Sequence, residues 1–149
     1  MSLNSSHKQS GAGLIEVLVT VLILATSLLA MGALQNRSLQ FNHSAYLRSQ
    51  ANILAYDIMD RMRINRDGID SYDGYDFGDD APAGNSLAAT DVQEWLDRLE
   101  RTLPGGEGAI DCDANQLCTI SLRWVDEDAA PDEAGEDAQL VTFTYSSRI

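Results

Sequence analysis

Apolar and polar positions fall into stretches with different periods along this chain. From Val17 to Asn36 there is no ionisable side chain. At the rise of an α-helix that run spans about 30 Å, roughly the hydrocarbon thickness of a bilayer. It predicts a membrane-spanning helix. Further on, Leu47, Ala51, Leu54, Ile58 and Met62 recur at intervals of three or four, while Arg48, Gln50, Asn52, Asp57 and Arg61 occupy the other faces. Residues 35–66 contain no proline. One long helix is therefore expected from about Ala12 to about Asn65, apolar in its first half and amphipathic in its second. Gly32 costs roughly 1 kcal/mol against alanine and softens this helix without ending it.

Asp67 and Gly68 end the helical pattern, and residues 68–85 have the Gly, Asp, Ser, Tyr and Pro content of a loop. Thr90 with Gln93 reads as a capping box that starts a short second helix, with Asp91 at its favourable end. Val92, Trp95, Leu96, Leu99 and Leu103 form its apolar stripe, and Pro104 and Gly105 stop it. Trp95 is either a core residue or a binding anchor, and its place on the stripe favours the core. After Gly108 the period falls to two. Cys118, Ile120, Leu122 and Trp124 point to one side of a strand, with Thr119, Ser121 and Arg123 on the other. Asp113 to Gln116 supplies a hairpin turn. Residues 126–139 form an acidic loop with Pro131 and Gly135, and a last strand alternates Val141, Phe143 and Tyr145 with Thr142 and Thr144.

These elements define an α+β fold, in which a long N-terminal helix packs on a small antiparallel β-sheet with one short extra helix. A sheet this small needs the helix stripe as its cover. The expected segments are a leader over 1–11, the membrane half of the helix over 12–35, its amphipathic half over 36–66, and an acidic β-rich domain over 67–149.

Charge sharpens this division. The formal net charge is -13, and Glu16 is the only acid before Asp57. An acidic domain repels nucleic acid and anionic lipid surfaces, so no nucleic-acid partner is expected. The only lysine, Lys8, lies before the apolar run beside His7, which places the N-terminus in the cytoplasm and the bulk of the chain across the membrane. The two cysteines, Cys112 and Cys118, fall in the exported part. There they read as a disulfide, the alternative being a pair of inert thiols.

Catalytic chemistry finds no foothold. No nucleophile elbow, phosphate-binding glycine loop or metal-ligand cluster is present. The carboxylates of Asp70, Asp73, Asp76, Asp79 and Asp80 lack the alternate spacing and closing glutamate of an EF-hand. Two cysteines and a distant His43 are too few for zinc. The expectation is a protein that is not an enzyme, with no cofactor, no metal and no small-molecule substrate.

Glu16 then requires an explanation, because an ionisable residue in a membrane helix marks function by default. A signal peptide would place its small-residue cleavage site after the apolar core. Here the small-residue junction, Gly11-Ala12, precedes it. Cleavage there would leave the apolar helix in the mature chain, with a new amine four residues from Glu16. The bland alternative is a carboxylate snorkelling to the headgroups.

Gly11-Ala12-Gly13-Leu14-Ile15-Glu16-Val17-Leu18-Val19 resembles the N-terminal signature of type IV prepilins, with alanine where phenylalanine or methionine is usual. The resemblance implies cleavage after Gly11 by a prepilin peptidase, methylation of Ala12, and a subunit-docking role for Glu16. Residues 51–65, with Ala51, Leu54, Ala55, Asp57, Ile58, Asp60, Arg61, Met62, Arg63 and Asn65, are similar to a segment of minor pilins of the PilV kind. Thr119 to Trp124 after a close cysteine pair is like that family's C-terminal strand. Read without the family, Asp57, Asp60, Arg61 and Arg63 are an ion-paired helix surface. The resemblance implies a type IV pilin-like fold and a minor pilin that helps initiate pilus assembly and supports twitching motility and surface attachment. Its partners would be the prepilin peptidase, other minor pilins and the major pilin. Its place would be the bacterial inner membrane, with the C-terminal domain in the periplasm, and then the pilus near its tip. Two rivals remain open: a minor pseudopilin of a type II secretion system, and a membrane-anchored calcium-binding or sensory module using residues 70–80.

Overall fold

A computed structural model describes residues 12–128 and 140–149. The leader, including Gly11, and most of the second acidic loop, including Pro131 and Gly135, lie outside the described residues. The first element, α1, is one unbroken helix over Ala12–Ile64. The chain divides into two compact units, one ending at Leu39 and the other comprising Gln40–Ile149.

In the first unit the apolar side chains of α1, among them Leu14, Leu18, Leu22 and Leu29, are all exposed. Three of its hydroxyls bond back within the helix: Thr20 donates to the Val17 carbonyl at 2.8 Å, Thr26 to the Leu22 carbonyl at 3.0 Å, and Ser27 to the Ile23 carbonyl at 2.7 Å. Such back-bonding lets polar residues sit in an apolar helix without an unpaired donor. By length and composition α1 is long and apolar enough to cross a membrane.

The second unit is built on the other half of the same helix. Leu47, Ala51, Leu54, Ala55, Ile58, Met59 and Met62 are buried and join one core with the rest of the domain. A 3-10 helix over Arg66–Ser71 follows, and then α2 over Leu87–Thr102, β1 over Glu107–Cys112, β2 over Leu117–Val125 and β3 over Leu140–Arg148. The strands form an antiparallel sheet in the order β1-β2-β3. The observed class is the expected one, α+β with a long N-terminal helix, a short extra helix and a small antiparallel sheet.

On β2, Cys118, Ile120, Leu122 and Trp124 are fully buried while Thr119, Ser121 and Arg123 are partly exposed. The alternation read from the sequence is the one the sheet uses. The last strand obeys it less strictly, with Val141 buried but Phe143 and Tyr145 only half-buried. Tyr145 instead packs its ring 4.7 Å from that of Tyr56 on α1.

Two local expectations need correction. The second helix does not start at a Thr90 capping box. Ser86 is the cap, with extended backbone angles and a side chain that accepts from the Ala89 N–H at 3.1 Å. Thr90 lies within the first turn and donates to the Ser86 carbonyl at 3.0 Å. A serine that caps leaves a threonine four residues on free to back-bond. The segment after α1 is also more ordered than a loop: Arg66–Ser71 is a 3-10 helix, and Tyr75 forms a bridge with Ile110 on β1.

Trp95 belongs to the core, with its indole N–H donating to the Leu54 carbonyl at 3.0 Å. Its ring lies against Gly108, where an added Cβ would collide with it. The missing side chain at Gly108 thus leaves room for α2 to pack its indole ring against β1.

Candidate functional site

The candidate site begins at the first residue of α1. Ala12 opens the helix and Glu16 follows one turn later, exposed, on the face that a residue four positions away shares. The descending apolar surface after Glu16 is continuous around the helix rather than confined to a stripe. A helix of that kind suits lipid or a bundle of other helices.

The second half of α1, with Asn65 just after its end, carries the segment 51–65, and its polar residues hold α2 to the long helix. Arg61 reaches Asp91 at 3.0 Å and Glu94 at 2.9 Å on α2, and contacts Asp57 at 3.3 Å one turn back. Asp57 also accepts from Arg98 at 3.0 Å. Tyr72, fully buried, donates to the other oxygen of Asp91 at 2.6 Å, and Asn65 donates to the Tyr72 hydroxyl at 3.1 Å. Asp57, Arg61 and Asn65 are spaced by four, so they form a polar rail beside the buried stripe. Asp60 pairs with Arg63 at 2.7 Å, and Arg63 also donates to Ser147 on β3 at 2.8 Å. The ion-paired helix surface is therefore real, and it is a seam inside the domain.

Electrostatics follow this geometry. Burial, and then the bond to the Asp91 carboxylate, push the Tyr72 phenol up to about 12. Hydrogen bonding to Glu94 and Asp91 raises the Arg61 guanidinium above its ordinary value against the opposing cost of burial. In the hairpin turn, backbone N–H groups of Leu117 and Asn115 hold the Asp113 carboxyl below its usual range. Cys112 and Cys118, paired directly across β1 and β2, are joined as a disulfide.

The acidic loop has structural tasks. Asp73 accepts the Cys112 N–H at 2.8 Å, and Asp79 accepts the Asp76 N–H at 2.9 Å. A cleft of about 380 Å³ is lined by Asp79, Asp80, Asp97, Glu100 and Glu107 together with several glycines. Among the described residues no group of three or more His, Cys, Asp or Glu side chains is placed to hold a metal ion.

One contact escaped the sequence reading. Asp126, at the start of the second acidic loop, is buried and accepts from Ser44 on α1 at 2.6 Å. It is not part of a solvated run. Its partner lies 82 residues away, so no local pattern signals the pair.

A protein-family comparison matches residues 33–76 to a family described as type IV pilin Tt1218. The match covers less than half of the chain and includes the 51–65 seam, while the Gly11–Val19 signature lies outside it. No curated protein and no solved structure gave a significant match. The family likeness and the N-terminal signature thus come from separate stretches of the chain and point the same way.

Proposed function

We propose that this chain is a type IV pilin, a structural subunit and not an enzyme. We further propose a minor pilin that helps initiate pilus assembly, with other minor pilins and the major pilin, and so supports twitching motility and surface attachment. The observation that carries the reading is the division of labour on α1. One helix bears the prepilin-like segment and an all-round apolar surface, then continues as the core stripe of an acidic domain.

The proposed route starts with a precursor held in the inner membrane by α1, its C-terminal domain in the periplasm. A prepilin peptidase cuts between Gly11 and Ala12, and Ala12 is methylated. Apolar helices then leave lipid to pack together, and Glu16 neutralises the amine of a neighbouring subunit. A charge pair in that setting gains from the low dielectric and orients the incoming helix.

N-terminal sequencing of the mature protein tests processing, and an N-terminus at Ala12 is expected. An intact leader would remove the basis of the proposal. Glu16→Ala should insert in the membrane normally but appear in sheared pili at about a tenth of the wild-type level, equivalent to about 1.4 kcal/mol of lost docking energy. Wild-type incorporation of that variant would exclude the docking role. Deletion of the gene separates pilus from type II secretion: loss of pili supports the first, and loss of protein secretion with intact pili supports the second.

A further inference from the structure

The two edges of the sheet are treated differently. On β1 the outer edge is partly occupied: Ile110 exchanges bonds with Tyr75, donating at 2.8 Å and accepting at 3.2 Å, and Asp73 takes the Cys112 N–H. Hydrogen-bonded and non-hydrogen-bonded residue pairs alternate along an antiparallel ladder, and both members of a non-hydrogen-bonded pair turn their N–H and C=O away from each other. Because Ile110 bonds outward, its partner Ile120 bonds toward β3, and Tyr145 opposite Ile120 bonds inward to β2. The outward donors and acceptors of β3 are therefore those of Leu140, Thr142, Thr144, Ser146 and Arg148. Thr142, Thr144, Ser146 and Arg148 are exposed, and among the described residues no strand pairs with this edge.

Open edges are normally guarded by lysine, proline or a bulge. Within β3 there is no lysine, proline or acid, its one charged side chain, Arg148, stands at the very end, and its register with β2 is unbroken from Leu117↔Arg148 to Val125↔Leu140. The strand is nine residues long. We propose that the outer edge of β3 is a strand-addition site that receives an extended segment of a different protein, free of acids and with basic character. Backbone groups supply the pairing, and the hydroxyls of Thr142, Thr144 and Ser146 flank it. A second copy of this chain is disfavoured, because each carries a formal net charge of -13 and edge pairing would bring two acidic domains together. The inference does not depend on the assembly role of α1.

Amide hydrogen exchange of the full chain in detergent micelles tests it, with a synthetic peptide copying Leu140–Arg148 and carrying a lysine pair at each end as the probe. In the free chain, the amides of Thr142, Thr144 and Ser146 should exchange at least about tenfold faster than those of Val141, Phe143 and Tyr145. The peptide should slow the first set by about tenfold or more and leave the second unchanged. Thr144→Pro should abolish that protection while the domain keeps its melting temperature, since the lost N–H faces outward. If that variant does not fold, the peptide N-methylated at alternate residues replaces it, and its failure to protect is the expected result. Slow outward amides in the free chain would overturn the proposal, because the chain would then cover its own edge. No slowing by the peptide would also overturn it. Protection that rises with chain concentration and not with peptide would assign the edge to a second copy instead.

Discussion

The two halves of α1 share one backbone and handle apolar surface in opposite ways. Before Leu39 the leucines, valines and isoleucines point in every direction and all are exposed. After Gln40 the large apolar residues that matter lie on one stripe, where Ile58, Met59 and Met62 have no accessible surface at all. A stripe can be covered by a single layer of the same chain; a cylinder cannot. The first half must therefore find lipid or other helices, while the second needs only its own sheet and α2. Hydroxyl placement follows the same logic. Thr26 and Ser27 bond back to their own helix in the first half, whereas Ser44 in the second reaches across to Asp126.

Parallel substitutions in the two halves test this contrast. Ile58→Ser should cost the domain about 3–5 kcal/mol, from lost burial, a cavity and a stranded hydroxyl, read as a lower midpoint in denaturant unfolding followed by Trp95 and Trp124. Arg61→Ala ranks next. It leaves Asp91 facing Tyr72 without its cation, and a loss of about 2 kcal/mol is expected in the same assay. An unchanged midpoint would mean that the seam is incidental.

The pH profile probes the seam from the other side. Tyr72 has an ordinary value of 10.0 and is raised to about 12 in the folded chain. A raised value means that the folded state keeps its proton longer than the unfolded state. Its stability contribution is whole below pH 10 and is lost as pH rises toward about 12, on the order of 2 kcal/mol across that window. Tyr72→Phe should flatten that part of the profile, and an unaltered slope would assign it elsewhere. The smallest effect belongs to the first half. Leu24→Ser should leave the domain midpoint within about 0.5 kcal/mol of wild type, because Leu24 contacts none of its core. A larger shift would join two units that the fold separates.

Much of this was legible in the chain itself. The stripe from Leu47 to Met62, the alternation on β2 and the turn that brings Cys112 opposite Cys118 all depend on local periods, which a sequence displays directly. The start of α2 is ambiguous in the sequence because Ser86 and Thr90 are both good caps, and only the extended backbone at Ser86 decides between them. The apolar length before Leu39, the isolated Glu16 and the acidic character of the rest are properties of sequence alone, since they need no partner to be recognised. The tertiary structure alone decided that Asp57, Arg61 and Asn65 are a seam rather than a solvated face, that Asp126 is buried against Ser44, and that among the described residues β3 has no strand paired on its outer edge. Each of these depends on which groups meet across long stretches of chain, and such meetings leave no period in the sequence.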